Sequence, residues 1–143
     1  MHLIEKVRFS EKKIQLPSSK SETHRALILA ALNKGSSVIS KPLWSEDTIV
    51  TKDALVKMGA KFKENGDSLT AGGKFGQVTD HQIDLINSGS SARFLLPVGC
   101  LADDSMTFSG SERLHQRPMH ELIQVLKNMG GNLKDTDGHL PVT

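Results

Sequence analysis

The sequence predicts an α/β protein made of two copies of one βαβαββ unit, and three observations point there. Ala54-Leu55-Val56-Lys57-Met58-Gly59-Ala60-Lys61-Phe62-Lys63 is echoed by Val125-Leu126-Lys127-Asn128-Met129-Gly130-Gly131-Asn132-Leu133-Lys134. Upstream of each Met-Gly pair an arginine opens an apolar stretch, Arg25 before Ala26 to Leu32 and Arg93 before Phe94 to Val98. Each copy also ends in turn chemistry, Asn65-Gly66-Asp67 in one and Asp135-Thr136-Asp137-Gly138 in the other. The arginines are 68 residues apart and the Met-Gly pairs 71, so the second copy is slightly longer between them. The copies divide the chain into 1–76, which includes an N-terminal strand, and 77–143.

The elements follow in order. A short strand, Lys13 to Leu16, leads into a polar loop, and a helix from about Arg25 is apolar nearly all round, hence buried. A strand at Ser37 to Ser40 comes next, then an exposed loop in which Trp44 serves as a packing anchor. Glu46-Asp47 opens an amphipathic helix, where carboxylates suit the positive end of the dipole. Gly59 takes the left-handed C-cap position and releases the chain into the hairpin. The second copy repeats this with a strand at Gln82 to Ile86, a helix from about Arg93 and a strand at Ser105 to Ser109. Its amphipathic helix places Met119, Leu122, Ile123, Leu126 and Met129 on one face, with Gly130 as the cap. The two inner helices are expected to pack side by side. The second hairpin has barely begun its return strand (Leu140 to Thr143) when the sequence stops, which reads as a piece of a longer protein.

Composition narrows the function classes. At 143 residues, with 37% hydrophobic and 24% charged content, the chain is a soluble globular type. Its longest apolar stretch is too short to cross a bilayer, and the N-terminus lacks a signal-peptide pattern, so a cytoplasmic protein without a membrane partner is expected. One cysteine, Cys100, excludes an internal disulfide framework, and its apolar neighbours suggest a buried, inert thiol. The six histidines show no metal-ligand spacing and are expected at the surface, so neither a metal nor a cofactor is called for. Aromatics are 4% and tyrosine is absent, which disfavours a nucleic-acid-binding module.

Chemistry concentrates where helices begin. Leu16-Pro17-Ser18-Ser19-Lys20-Ser21 with Arg25 offers hydroxyls, unpaired backbone N–H groups and cations, which together attract phosphate or carboxylate. Asn87-Ser88-Gly89-Ser90-Ser91-Ala92-Arg93 repeats the idea. A third basic loop, Gly110-Ser111-Glu112-Arg113-Leu114-His115-Gln116-Arg117-Pro118, precedes the last helix. Three such starts in a short chain point to a small, multiply negative ligand.

These loops, in this order, resemble the signatures of the 5-enolpyruvylshikimate-3-phosphate (EPSP) synthases. Those are Leu-Pro-x-Ser-Lys-Ser followed by Arg-Ala, Asn-x-Gly-Thr-x-x-Arg, and Gly-x-x-Arg-x-x-x-Arg-Pro. The resemblance spans nearly the whole chain but only two of the family's six βαβαββ units, within the first domain of the enolpyruvyl transferase fold. It implies transfer of the enolpyruvyl group of phosphoenolpyruvate to the 5-hydroxyl of shikimate 3-phosphate, with release of phosphate. It further implies that the third unit and a second domain with the acid/base carboxylates complete the protein as a monomer, and that the first ten or so residues reach toward that domain. By position, Lys20 is similar to the family's catalytic lysine between both substrates. Lys20, Ser21 and Arg25 match the shikimate 3-phosphate ligands, while Lys20, Asn87, Gly89 and Arg117 match those of phosphoenolpyruvate, whose pocket glyphosate shares. Arg93 and Arg113 match supporting arginines. Ile86 replaces the glycine usual before the asparagine, Ser90 replaces threonine, and Thr23-His24 stands where Ser-Asn is common. The sister enzyme acting on UDP-N-acetylglucosamine has Lys-Asn in its first loop and usually a cysteine in its third; this chain has neither.

Overall fold

The structure, a computed structural model, describes residues 13–143, so expectations about the first ten residues lie outside the described part. Ten elements follow in order: α1 Lys20–Leu32, β1 Ser37–Ser40, α2 Glu46–Lys57, β2 Ala60–Asn65, β3 Ser68–Gly73, β4 Gln82–Asp84, α3 Gly89–Gly99, β5 Thr107–Ser109, α4 Glu112–His115 and α5 His120–Asn128. The class is mixed α/β, as expected.

β1, β3 and β2 form an antiparallel sheet in that order. The Asn65-Gly66-Asp67 turn closes β2 on β3 with Gly66 at φ +59°, and six residue pairs follow from Asn65↔Ser68 to Ala60↔Gly73. β4 and β5 pair in parallel with α3 as the crossover between them. One continuous apolar core lies between sheets and helices, with Leu27, Leu55, Leu69, Leu85, Leu95 and Leu114 fully buried. α2 packs against both α1 and α3, so α2 rather than α3 is the main helical neighbour of α1. α1 and α3 meet through the rings of His24 and Phe94, whose centroids are 6.0 Å apart.

α2 starts in a capping box. Ser45 Oγ accepts from Thr48 N, and the Ser45 N–H donates to Thr48 Oγ1 at 2.9 Å. Glu46 and Asp47 fill its first turn. Gly59 and Gly130 both stand at φ +98°, one residue past the C-caps of α2 and α5, in the left-handed region that only glycine adopts freely.

Several expectations are corrected. Lys13 to Leu16 is not a strand, and Ile14 and Leu16 are exposed. β1 is hydrogen-bonded to β3 only among the described strands, leaving residues 13–16 without a ladder partner. α1 begins at Lys20 rather than near Arg25, because Ser19 Oγ accepts from Glu22 N and because Thr23 and His24 bury themselves behind the first turn. Leu29 is exposed, so α1 is not apolar all round in its packing. The second closing hairpin has no ladder. Backbone bonds between Lys134 and Thr143 and isolated bridges Phe108↔Val142 and Thr136↔His139 stand in its place. On α5, Met119, Ile123 and Leu126 are buried, whereas Met129 is the C-cap residue and exposed. Cys100 is also exposed at the end of α3. Partial burial pushes its thiol up, so it is not an activated nucleophile.

Candidate functional site

Each of the three basic loops is fixed by a serine that caps a helix. Ser19 caps α1, Ser88 caps α3 through the Ser91 N–H, and Ser111 caps α4 through the Leu114 N–H. Each hydroxyl thereby satisfies one of the N–H groups that a helix start leaves without an intrahelical partner.

Lys20 is the first residue of α1, and its Nζ lies 2.6 Å from Asp47 Oδ2 in the first turn of α2. The lysine, followed by the Ser88 hydroxyl, holds the Asp47 carboxyl below its ordinary range. The two side chains are 47% and 28% exposed, so the pair adds little stability; its effect is to fix the direction of the ammonium. Ser21 and Arg25 lie four residues apart on the neighbouring exposed stripe. Among the described residues neither makes a side-chain hydrogen bond or ion pair.

The second and third loops interlock. Ser111 Oγ donates to Asn87 Oδ1, and the Ser111 N–H donates to Ile86 O at 2.7 Å. Arg93 brackets both loops, with Nη1 donating to Gly89 O at 3.3 Å and Nη2 to Pro118 O at 3.0 Å. His115 Nε2 accepts from the Gly110 N–H at 3.2 Å and lies 3.0 Å from Ser109 Oγ, holding the third loop to the end of β5. Gly89 is buried at the first position of α3, and a Cβ there would meet Nη1 of Arg117. The missing side chain therefore gives the guanidinium its seat. Ile86 stands at φ +53°, a conformation strained for a β-branched residue, which accounts physically for the glycine usual there in the resembling family.

The structure thus pairs Lys20 with Asp47, whose backbone carbonyl accepts from Ser91 in the first turn of α3, and seats Arg117 over Gly89 at the start of that helix. Arg113 is exposed and takes no part in the bracket. Sequence reasoning missed Asp47, read only as a helix-opening charge, and His24, read as a surface residue. His24 is 1% exposed, and its Nδ1 lies 2.8 Å from Thr51 Oγ1. The signal for its burial was present: three and four residues ahead of buried Leu27 and Ile28, it shares their inward face of α1. Among the described residues no cluster of His, Cys, Asp and Glu could hold a metal, and no helix is long and apolar enough to cross a membrane.

Fold and site together define an α/β chain that gathers anion-seeking helix starts. The family model for EPSP synthase (3-phosphoshikimate 1-carboxyvinyltransferase) matches residues 4–143. The chain belongs to the EPSP synthase family. It is 37% identical to the 3-phosphoshikimate 1-carboxyvinyltransferase of Methanosphaera stadtmanae, over 95% of this chain and 33% of that protein. It is 38% identical to that of Syntrophobacter fumaroxidans, over 97% of this chain and 34% of the relative. A solved EPSP synthase from Acinetobacter baumannii superposes with a TM-score of 0.82 at 26% identity, covering 92% of this chain and 31% of that one. The chain spans about a third of the length of the curated relatives it matches.

Proposed function

We propose that this chain supplies the first substrate-binding loops of an enzyme that moves the enolpyruvyl group of phosphoenolpyruvate to the 5-hydroxyl of shikimate 3-phosphate. The observation that carries this reading is the seat of Arg117 over Gly89 on α3, a helix joined by Ser91 to the Asp47 carbonyl and so to the Lys20–Asp47 pair. In the reaction a bond forms between the 5-oxygen and the enolpyruvyl carbon, the bond from that carbon to the phosphate oxygen breaks, and the hydroxyl proton leaves with phosphate. Both substrates are polyanions, so positioned cations bring them together and steady the charge at the reacting centre.

In this reading Lys20 is the catalytic cation and touches both substrates. Ser21 and Arg25 hold shikimate 3-phosphate from the exposed stripe of α1, and a planar guanidinium suits a carboxylate in two-point contact. Arg117 grips phosphoenolpyruvate, with Asn87 and Gly89 shaping its pocket, where glyphosate would compete. The partners are these two small molecules and the rest of a longer monomeric protein in the cytoplasm, with no cofactor, metal, nucleic acid or membrane. The chain itself would be two βαβαββ units, 1–76 and 77–143. The Met-Gly turns at identical φ and the antiparallel contacts β1·β3 and Phe108↔Val142 in corresponding places support that division.

Steady-state kinetics of the full-length protein carrying this chain test the assignment. Lys20→Ala and Arg117→Ala are each expected to lower turnover by about 30- to 5,000-fold, the loss that follows removal of one partner from a desolvated charge contact. An Arg117→Ala enzyme with unchanged kcat and KM would refute it.

A further inference from the structure

We infer that His24 is a positioning residue for this site: its Nδ1–H donates into a buried group of three hydroxyls that holds the backbone carbonyl of Asp47, and so fixes the turn of α2 from which the Asp47 carboxylate meets Lys20. The inference rests on the functional reading above for its consequence, but its geometry stands on its own. Thr51 Oγ1 lies 2.8 Å from His24 Nδ1 and 2.8 Å from Ser91 Oγ. Ser91 Oγ is 2.6 Å from Ser88 Oγ and donates to the Asp47 backbone carbonyl at 3.2 Å. His24, Thr51, Ser91 and Ser88 are all 0–2% exposed. They sit on α1, α2, α3 and the cap of α3, so the group ties together the starts of the three helices.

The protons can be placed from one end. A backbone carbonyl only accepts, and each hydroxyl has one proton to give. Thr51 Oγ1 and Ser91 Oγ both donate to the Asp47 carbonyl at 3.2 Å, which draws their protons away from His24 and leaves the Thr51 oxygen to accept from His24 Nδ1–H. An independent observation agrees. His24 Nε2 is buried with no partner among the described residues, and a bare lone pair there costs less than an orphaned N–H. Burial favours the neutral ring; Asp47 opposes that and Lys20 reinforces it. Phe94, the remaining neighbour, carries no charge.

NMR of the full chain with 15N-labelled histidine tests the tautomer without any substitution. The expected result is a protonated Nδ1, a bare Nε2, and no titration at the ordinary value of 6.5. A protonated Nε2, or titration at that value, overturns the inference. Inorganic phosphate, titrated calorimetrically, reads the consequence. His24→Leu and Thr51→Val are each expected to weaken phosphate binding by about 2- to 10-fold, the range of one lost hydrogen bond. His24→Asn, whose amide nitrogen can replace Nδ1, is expected to restore it. Equal losses in the Leu and Asn variants would show a merely structural role and overturn the inference. Lys20→Ala separates the two readings. If it leaves phosphate binding unchanged, the proposed site fails while the tautomer result decides His24. If it abolishes binding and neither His24→Leu nor Thr51→Val has an effect, the inference alone fails.

Discussion

At the start of α1 the anion-seeking groups are side chains of the helix itself: Lys20, Ser21 and Arg25 stand on its exposed stripes. Polar Thr23 and His24 hold the opposite side in the core. The start of α3 has no cation in its first turn. There the helix contributes a gap, Gly89, and the charge arrives from the third loop as Arg117. On the proposed reading, one start binds by what it projects and the other by what it leaves out. Substitutions at α1 should act by removing charge, and those at α3 by adding bulk.

The largest effect should come from removing the α1 cation. Lys20→Ala is expected to lower shikimate 3-phosphate affinity by about 1.5–3 kcal/mol, or roughly 10- to 150-fold, measured by calorimetry. Its melting temperature should barely move, because the Lys20–Asp47 pair is partly exposed. At α3 the expected order is reversed in kind. Gly89→Ala keeps every charge but pushes Arg117 aside, so it should cost about 1–3 kcal/mol in phosphoenolpyruvate binding. Shikimate 3-phosphate binding should change much less. If both ligands weaken equally in that variant, the contrast between the two starts is broken.

Smaller effects sharpen the comparison through stability. Ile86→Gly, just before the α3 loop, should raise unfolding free energy by about 1 kcal/mol in urea melts, as relief of left-handed strain outweighs the added chain entropy. No such gain is open at the start of α1, where no residue from Ser19 to Arg25 has positive φ. The buried His24 gives α1 its own signature in pH. Its folded pKa is depressed, so the unfolded chain takes up a proton first as pH falls through 6.5. Stability present above that value is then lost below it, at up to about 1.4 kcal/mol per pH unit until the folded pKa is reached. Asp47, also depressed, adds a loss of the same sign as pH falls below 3.8. His24→Asn should remove the upper step and leave the lower one. Ser21→Ala is the mildest change, expected to weaken shikimate 3-phosphate binding by about 0.5–1.5 kcal/mol.

How much of this was legible in the sequence depended on the range of the interaction. The Gly59 and Gly130 caps, the Asn65-Gly66-Asp67 turn, β1 and the α2 start are set within a few residues, and local chemistry revealed them. Lys13 to Leu16 failed because a strand pattern without a ladder partner among the described strands does not make a strand. Helix starts were placed too late because the Ser/Thr-rich run reads as loop, while Ser19 and Ser88 in fact cap it and the residues after them are helical. Asp47 and His24 were invisible as site residues because their partners, Lys20 and Thr51, are each 27 residues away in the chain. Arg117 and Gly89 were both named, but not their contact, which depends on how the third loop folds back over α3.

On the proposed reading α1, α3 and the third loop form one anion site. Titrating shikimate 3-phosphate with phosphoenolpyruvate into 15N-labelled chain, and following the Ser21 and Gly89 amides together, tests it most directly. Both amides are expected to shift along curves of the same Kd, and in Lys20→Ala both curves are expected to move together to about 10- to 150-fold weaker binding. Shifts with different Kd values, or a Gly89 curve unchanged in Lys20→Ala, would contradict a single site.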